Sequence, residues 1–418
     1  MTTVNGASSA GRTRARVAAV TLTRDAWPMV GIAVAHALVG HVETAWVFDD
    51  GSSDGTASGV AELQRAFPGR VTYVRLDGSP YLQSAVSSIA LEALHDEPSA
   101  DWIWFLDADE FGFRGRLDEA LADVAPEVGA VRYNVINFVA PTDLDSNCPQ
   151  QFARVVHRSE PSISTDVNGE TLAQLIESDE MTFFDAAFDT KVIVRRGTSP
   201  WITAGAHQLP DGSTVEGTMN PVRFECGHVP FASRDALERR AERAQRVVEA
   251  TQQADHGWQT RLVFRAAQSG QLEGFWKRHS IGAGADPIVV VDESLSAGIS
   301  ETLRVLESRG VDLARVDRSL TPTLTQSLEL TDSLTLRTVD ALQEVAAEIV
   351  ARNTQLNSEL QWRDEELERL NAQLESLRED RTRLLDERSR LVGERDALLG
   401  SRTWRIASRL ARPFSRRR

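Results

Sequence analysis

Two acidic stretches carry most of the chemistry available to this sequence: Asp49-Asp50-Gly51-Ser52-Ser53-Asp54-Gly55-Thr56 and Asp107-Ala108-Asp109-Glu110. Asp107 and Asp109 flank a small residue, so at a strand end both side chains can point into one crevice. Hard cations such as Mg²⁺ or Mn²⁺ need only one or two protein carboxylates and take their other ligands from water and phosphates. The second stretch therefore suits a divalent cation held against phosphate oxygens, and the first can grip a polar group. Two rival readings exist for the first stretch. As a calcium loop it fails, because the bidentate acid would fall on Ala61 and no helix precedes it. As a plain turn it needs only Gly51 for the bend and Asp54 or Ser53 as a helix cap.

Each stretch follows a short apolar run, residues 44–48 and 102–106, whose β-branched and aromatic side chains read as buried strands of a parallel sheet. Ligands of open α/β sheets bind beyond the carboxyl ends of the strands, so both acidic clusters would face one crevice. The remaining pattern agrees. Residues 17–22 and 71–76 read as strands, and 29–38, 55–67 and 83–94 as helices, a βαβ rhythm. Residues 129–139 and 191–194 add extended segments. From 233 to about 270 the chain turns helical, with Leu237, Ala241, Ala244 and Val248 on one stripe.

Composition bounds the function. With 418 residues, 41% hydrophobic and 26% charged, the chain has room for a catalytic domain and accessory segments. Cys148 and Cys226 are the only cysteines, which disfavours a disulfide framework or a cysteine zinc site and fits a reducing compartment. A net charge of −15 disfavours non-specific nucleic-acid binding. Residues 1–15 read as a flexible arm without an apolar signal core, and no stretch approaches a transmembrane helix. After the first strand stands Thr23-Arg24-Asp25-Ala26, not the glycine pattern of a dinucleotide site.

The order Thr-Arg-Asp, Val-Phe-Asp-Asp-Gly-Ser-Ser-Asp-Gly-Thr, a helix carrying Gln83, and Trp-Ile-Trp-Phe-Leu-Asp-Ala-Asp-Glu-Phe resembles the GT-A glycosyltransferases of family 2 type, over about residues 16–235. It is most similar to the branch whose metal motif reads Asp-x-Asp-Glu-Phe. There a Lys-x-Ile-Val-Arg strand follows, here Lys191 to Arg195, then a Gly-x-His turn ending at His207 and a His-x-Pro-x-x-Ser-Arg segment from His228 to Arg234. The resemblance implies an α/β fold, a mostly parallel GT-A sheet flanked by helices. It implies that Asp50 recognises a uracil-type base with Asp49 beside it, and that Arg24, Asp25 and Gln83 line the nucleotide pocket. Asp107 would meet the ribose or the metal, and Asp109 would be the principal ligand of Mn²⁺ or Mg²⁺, with His228 or His207 as a further ligand. Lys191, Arg195 or His228 would add charge on the departing diphosphate. An inverting transfer also needs a general base; Glu110, Asp211 and Glu225 are candidates among which spacing does not choose. Glu110 has a plain alternative as an ion-pair partner of Arg114 or Arg116. The rivals to this reading are a nucleotidyltransferase, which lacks its glycine-rich basic loop here, and a catalytically inert scaffold.

A helical extension is expected over 236–318, a linker over 319–337 and a coiled coil over 338–400. Leu342, Ile349, Leu356, Arg363, Leu370, Leu377, Leu384, Leu391 and Leu398 form one seam. A second seam, Ala346, Asn353, Leu360, Leu367 and Leu374, is largely apolar and then takes Arg381, Arg388 and Arg395. The coil should be firm early and loose late, and it makes a homo-oligomer the expectation. Residues 401–418 combine Trp404, Ile406, Leu410 and Phe414 with seven arginines, the composition of an anchor on an anionic membrane surface. Together these features predict a cytoplasmic enzyme, peripheral on the inner face of the plasma membrane. It would move a sugar from a nucleotide-diphosphate donor to a glycan or lipid-linked acceptor of the cell envelope.

Overall fold

Alternation along the first strand decides which helices cover which face of the sheet. Val17 and Ala19 join the core that holds Ile32, Val34 and Leu63, while Ala18 and Val20 join the one that holds Val86 and Ala90. The computed structural model describes residues 14–76, 83–95, 97–160, 169–188, 190–199, 202, 206–207, 209, 215–218, 223–251, 258–282 and 289–323 in a first compact unit. In a second it describes 363, 369–370, 373–374, 376–403 and 405–406.

The first unit runs β1 (Val17–Thr23), α1 (Met29–Gly40), β2 (Thr44–Asp49), α2 (Thr56–Ala66), β3 (Val71–Arg75), α3 (Gln83–Ala93), β4 (Trp102–Phe105), β5 (Glu110–Arg114), α4 (Leu117–Ala120), β6 (Ala130–Val139), β7 (His157–Ser159), α5 (Gly169–Glu177), β8 (Lys191–Arg195), β9 (Val215–Thr218), β10 (Glu225–His228), α6 (Arg234–Thr251), α7 (Trp258–Gln268), α8 (Leu272–Arg278), β11 (Val289–Val291) and α9 (Ser294–Ser308). The sheet is ordered β11-β7-β6-β8-β4-β1-β2-β3, with β9 and β10 on β6 and β5 on β10. Strands β3, β2, β1 and β4 are mutually parallel, and β8 enters antiparallel between β4 and β6. Chain order reverses direction across β1 and β4, the switch point at which open sheets leave a crevice.

Helix α1 is buried from Val30 to Leu38 because it is covered twice, by the sheet and by α9. The extension after residue 235 is thus built into the same unit as the sheet, and α9 also packs on β5. His36 ties the three elements together, with Nδ1 hydrogen-bonded to Thr302 Oγ1 at 2.9 Å and Nε2 to the Gly112 carbonyl at 2.5 Å. His41 reaches the same carbonyl at 3.1 Å. Burial, with the neighbouring His36, pushes the His41 imidazole down to about 3, and burial does the same to His279, about 3. Both are neutral in the fold and protonate readily only when unfolded, near 6.5. Their contribution is therefore complete above pH 6.5 and is lost as pH falls toward 3. Stability should drop by about 2 kcal/mol per histidine between pH 7 and pH 5. Urea unfolding across that range measures it, and a flat profile would remove the neutral-histidine account.

Trp27 lies against glycine where α1 and α2 approach. A Cβ at Gly59 would stand 2.2 Å from its ring, and one at Gly31 2.5 Å from it, so both helices need glycine there. The indole Nε1 donates to the Leu313 carbonyl at 2.9 Å, and the backbone N–H donates to Asp54 Oδ2 at 2.9 Å. Asp54 also accepts from the Thr56 N–H at 2.8 Å, a turn just ahead of α2; the cap position itself falls on Gly55, not on Asp54 or Ser53 as expected.

The described part of the second unit is helical, and Leu377, Leu384, Leu391 and Leu398 are 51–66% exposed along it. Most of the arm, linker, early coil and tail lie outside the described residues. Among the described residues no helix is long and apolar enough to cross a membrane.

Candidate active site

Register alone brings the two acidic stretches together. Thr23 at the end of β1 is opposite Asp49, and Val20 is opposite Phe105, so Asp50 and Asp107 leave the sheet on either side of the β1 end. Leu22, Val86, Ser87, Leu106, Asp107 and Ala206 line a small cleft there, between the strand ends and α3.

On the β2 side, Gly51 takes φ +69°, a left-handed conformation that turns the chain directly after the aspartates. Asp49 is fully buried and accepts from the Ser52 N–H at 2.7 Å and from the Tyr73 hydroxyl at 2.5 Å. It shapes the turn and is not turned toward a nucleotide, contrary to the expectation. Asp25, with φ +48°, accepts from the Ser53 N–H at 2.7 Å, and its own N–H donates to Ser52 Oγ at 2.9 Å. It latches the β1 loop to the turn. Burial works to raise the Asp25 carboxyl, but the Ser53 and Asp54 hydrogen bonds hold it below its ordinary value. Asp50 is left with Arg24, whose Nη1 is 3.2 Å from Oδ2; burial keeps its carboxyl raised against the pull of that guanidinium. The side chain of Gln83 lies outside the described residues.

On the β4 side, His228 is set by two strand pairings. It faces Glu110 across the antiparallel β5 and Asn137 across the parallel β6. Nδ1 donates to Asn137 Oδ1 at 2.8 Å, which leaves Nε2 turned to Asp109 Oδ2 at 3.5 Å. Burial opposes ionisation of Asp109, but the charge and hydrogen bond of His228, with Arg240 and Lys191, hold its carboxyl far below the usual range. Lys191 Nζ bridges Asp107 Oδ2 at 2.6 Å and Glu110 Oε1 at 2.7 Å. Burial would lower the Lys191 ammonium, yet the two carboxylates keep it well above its ordinary value, so it is cationic at neutral pH. Burial raises Glu110, with Lys191 pulling the other way.

Several expected roles move. Glu110 is 1% exposed and pairs with Lys191, not with Arg114 or Arg116, so it is closed to an acceptor hydroxyl. Glu225 holds Arg114 at 3.0 Å, three residues along β10 from His228. Arg195 is at the wrong end of β8. Its Nε and Nη2 donate to the carbonyls of Val128 and Ala125, and its guanidinium lies 4.2 Å over Trp102. Four residues of strand, about 13 Å, separate it from Lys191. His207 bonds through Nδ1 to the Thr190 carbonyl at 3.1 Å instead of meeting either aspartate. Asp211 lies outside the described residues. Spacing had also missed Arg240, whose Nη1 is 3.9 Å from Asp109 Oδ2, and Asn137, which orients His228.

The donors fit a divalent cation bound by few protein groups. With Nδ1–H engaged by Asn137, His228 would offer the Nε2 lone pair to a cation beside the Asp109 carboxylate once its Nε2 proton is displaced, and a partner on the far ring nitrogen is what orients metal-ligating histidines. Among the described residues no three His, Cys, Asp or Glu side chains converge on one point. The other ligands would then be water and phosphate.

Residues 34–142 match the family model for glycosyl transferase family 2. No curated protein matches the chain. Similar solved structures include S. aureus TarS 1–349, 12% identical over 63% of this chain and 71% of that one, TM-score 0.30. The same fragment in complex with UDP-GlcNAc is 13% identical over 63% and 72%, TM-score 0.31. S. aureus TarS is 13% identical over 64% and 45%, TM-score 0.30. The matched segment holds Asp49, Asp50, Asp107, Asp109 and Glu110 in the crevice just described, and it is that of a family 2 glycosyltransferase.

Proposed function

We propose that this protein is a metal-dependent, inverting transferase. It would move a sugar from a nucleoside-diphosphate donor to a glycan or lipid-linked glycan acceptor in cell-envelope polysaccharide synthesis. The observation that carries the reading is the Asp109–His228 pair, held by Asn137 at the switch point, with Asp50 and Arg24 across the β1 end. Asp109 and His228 would hold Mn²⁺ or Mg²⁺, which supplies positive charge where the departing diphosphate gains negative charge. Asp50 would accept from the base, and Lys191 would fix Asp107 toward the ribose or the cation. The general base is unassigned among the described carboxylates, since Glu110 and Glu225 are both engaged. The exposed leucines of the second unit would pair copies of the chain, and the arginine-rich end would meet an anionic membrane surface.

Calorimetric titration of nucleoside diphosphates with and without Mn²⁺, beside Asp109→Ala and Asp50→Ala, tests this. Wild type should bind one diphosphate only with the cation, and each variant should lose at least about tenfold in affinity. No binding by the folded wild type would favour the inert scaffold. Light scattering on the same samples should give more than one copy per particle; a monomer would remove the pairing.

A further inference from the structure

Arg240 is a cation that the metal carboxylate cannot keep. Helix α6 turns its guanidinium back over Phe231, 5.7 Å from the ring centroid, where Nη1 donates to the Pro230 carbonyl at 3.1 Å. The same Nη1 stands 3.9 Å from Asp109 Oδ2, the oxygen that His228 Nε2 faces. The side chain is 23% exposed, so it borders the crevice instead of lying in the core. One turn further, Arg243 Nη1 donates to the Arg24 carbonyl at 3.3 Å, so this face of α6 spans the crevice from the β1 loop to the metal carboxylate.

A divalent cation held by Asp109 would repel a guanidinium that stands 3.9 Å from the same carboxylate. Among the described residues, Lys191 is clamped by two carboxylates, Arg195 serves the opposite end of the sheet, and Arg24 is held at Asp50 on the other side of the β1 end. We propose that Arg240 changes partner during the cycle. Before the cation binds it neutralises Asp109, and afterwards it swings from that carboxylate to donate to the donor's diphosphate. A guanidinium offers paired N–H donors to phosphate oxygens, and the swing gives up the Nη1 bond to the Pro230 carbonyl in exchange. This deepens the donor reading given above and rests on it.

The exchange makes two binding events respond in opposite directions. In Arg240→Gln, Mn²⁺ alone should bind about threefold to fivefold more tightly, because the competing charge is gone. With Mn²⁺ saturating, UDP or GDP, whichever the wild type prefers, should bind about 10- to 100-fold more weakly, while the matching monophosphate changes little. Arg240→Lys, which keeps the charge, should hold Mn²⁺ affinity at the wild-type value and recover part of the diphosphate affinity. A role confined to packing would weaken both ligands together. Unchanged or weaker Mn²⁺ binding in Arg240→Gln, or equal losses for diphosphate and monophosphate, overturns the exchange. A folded wild type that binds neither UDP nor GDP with Mn²⁺ overturns the donor reading itself. Wild-type binding that Arg240→Gln leaves intact sinks only the exchange.

Discussion

Lys191→Met should lower stability by about 3–5 kcal/mol, the cost of removing one member of a buried ion pair. Lys191 is 8% exposed at its side chain, and Glu110 is 1% exposed, so Glu110 would be left without a counter-charge in the core. Asp107 would suffer less, because its side chain is 42% exposed and water can replace the ammonium. Lys191→Met/Glu110→Gln should recover most of the loss, since neither buried charge remains. Burial already raises the Glu110 carboxyl, and in the single variant it would rise further. A carboxyl raised in the folded state is a penalty that grows as pH climbs above its unfolded value near 4.5. The single variant should therefore regain ground on acidification, and the double variant should not. Urea unfolding of the three proteins at pH 5 and pH 8 reads this directly. Equal losses in the single and double variants would mean that Lys191 contributes packing alone.

Gly59→Ala is expected to cost about 2–3 kcal/mol, at the upper end for overpacking a well-filled site. A Cβ 2.2 Å from two atoms of the Trp27 ring cannot be absorbed by a small shift, so the indole must leave its slot. Its departure would break the indole's hydrogen bond to the Leu313 carbonyl, strain the Trp27 backbone bond to Asp54 and loosen the loop that carries Arg24 and Asp25. Nucleotide affinity should fall with stability. In a Trp27→Ala background the same Gly59→Ala change should be nearly neutral, because the atoms it strikes are gone. Thermal melts of the four-protein cycle decide it; additive losses would show that the two residues do not share a space.

The parallel core is legible in the sequence because its signals are local. Strands β1 to β4 are apolar runs that end in polar turns, and α2 announces itself through the Asp54 turn that leads into it, although its cap falls on Gly55. The joint exit of Asp50 and Asp107 follows from parallel pairing, which needs no knowledge of side-chain packing. What escapes notice depends on partners far along the chain. Strand β5 is hidden directly after the metal motif, and it becomes a strand only because β10 arrives more than a hundred residues later; Arg114 and Glu225 are 111 apart. The roles of Asp49 and Asp25 escape because a carboxylate bonded to backbone N–H groups and one free to bind a ligand are spelled alike. Lys191 and Arg195 illustrate a subtler gap. Residues four apart on a strand share a face but not an end, and only one end of this sheet is the crevice.

On the proposed pairing of copies, the leucines spaced by seven along the second unit would bear on encounter, not on bond making. A chain joined to its copies through that seam brings several donor sites to one particle. An acceptor that slips from one site then meets the next as an intramolecular event, at an effective concentration that reaches the millimolar range for short flexible connections. A weak grip on each acceptor would then suffice, and the residence of a growing glycan would be set by how many copies share the coil.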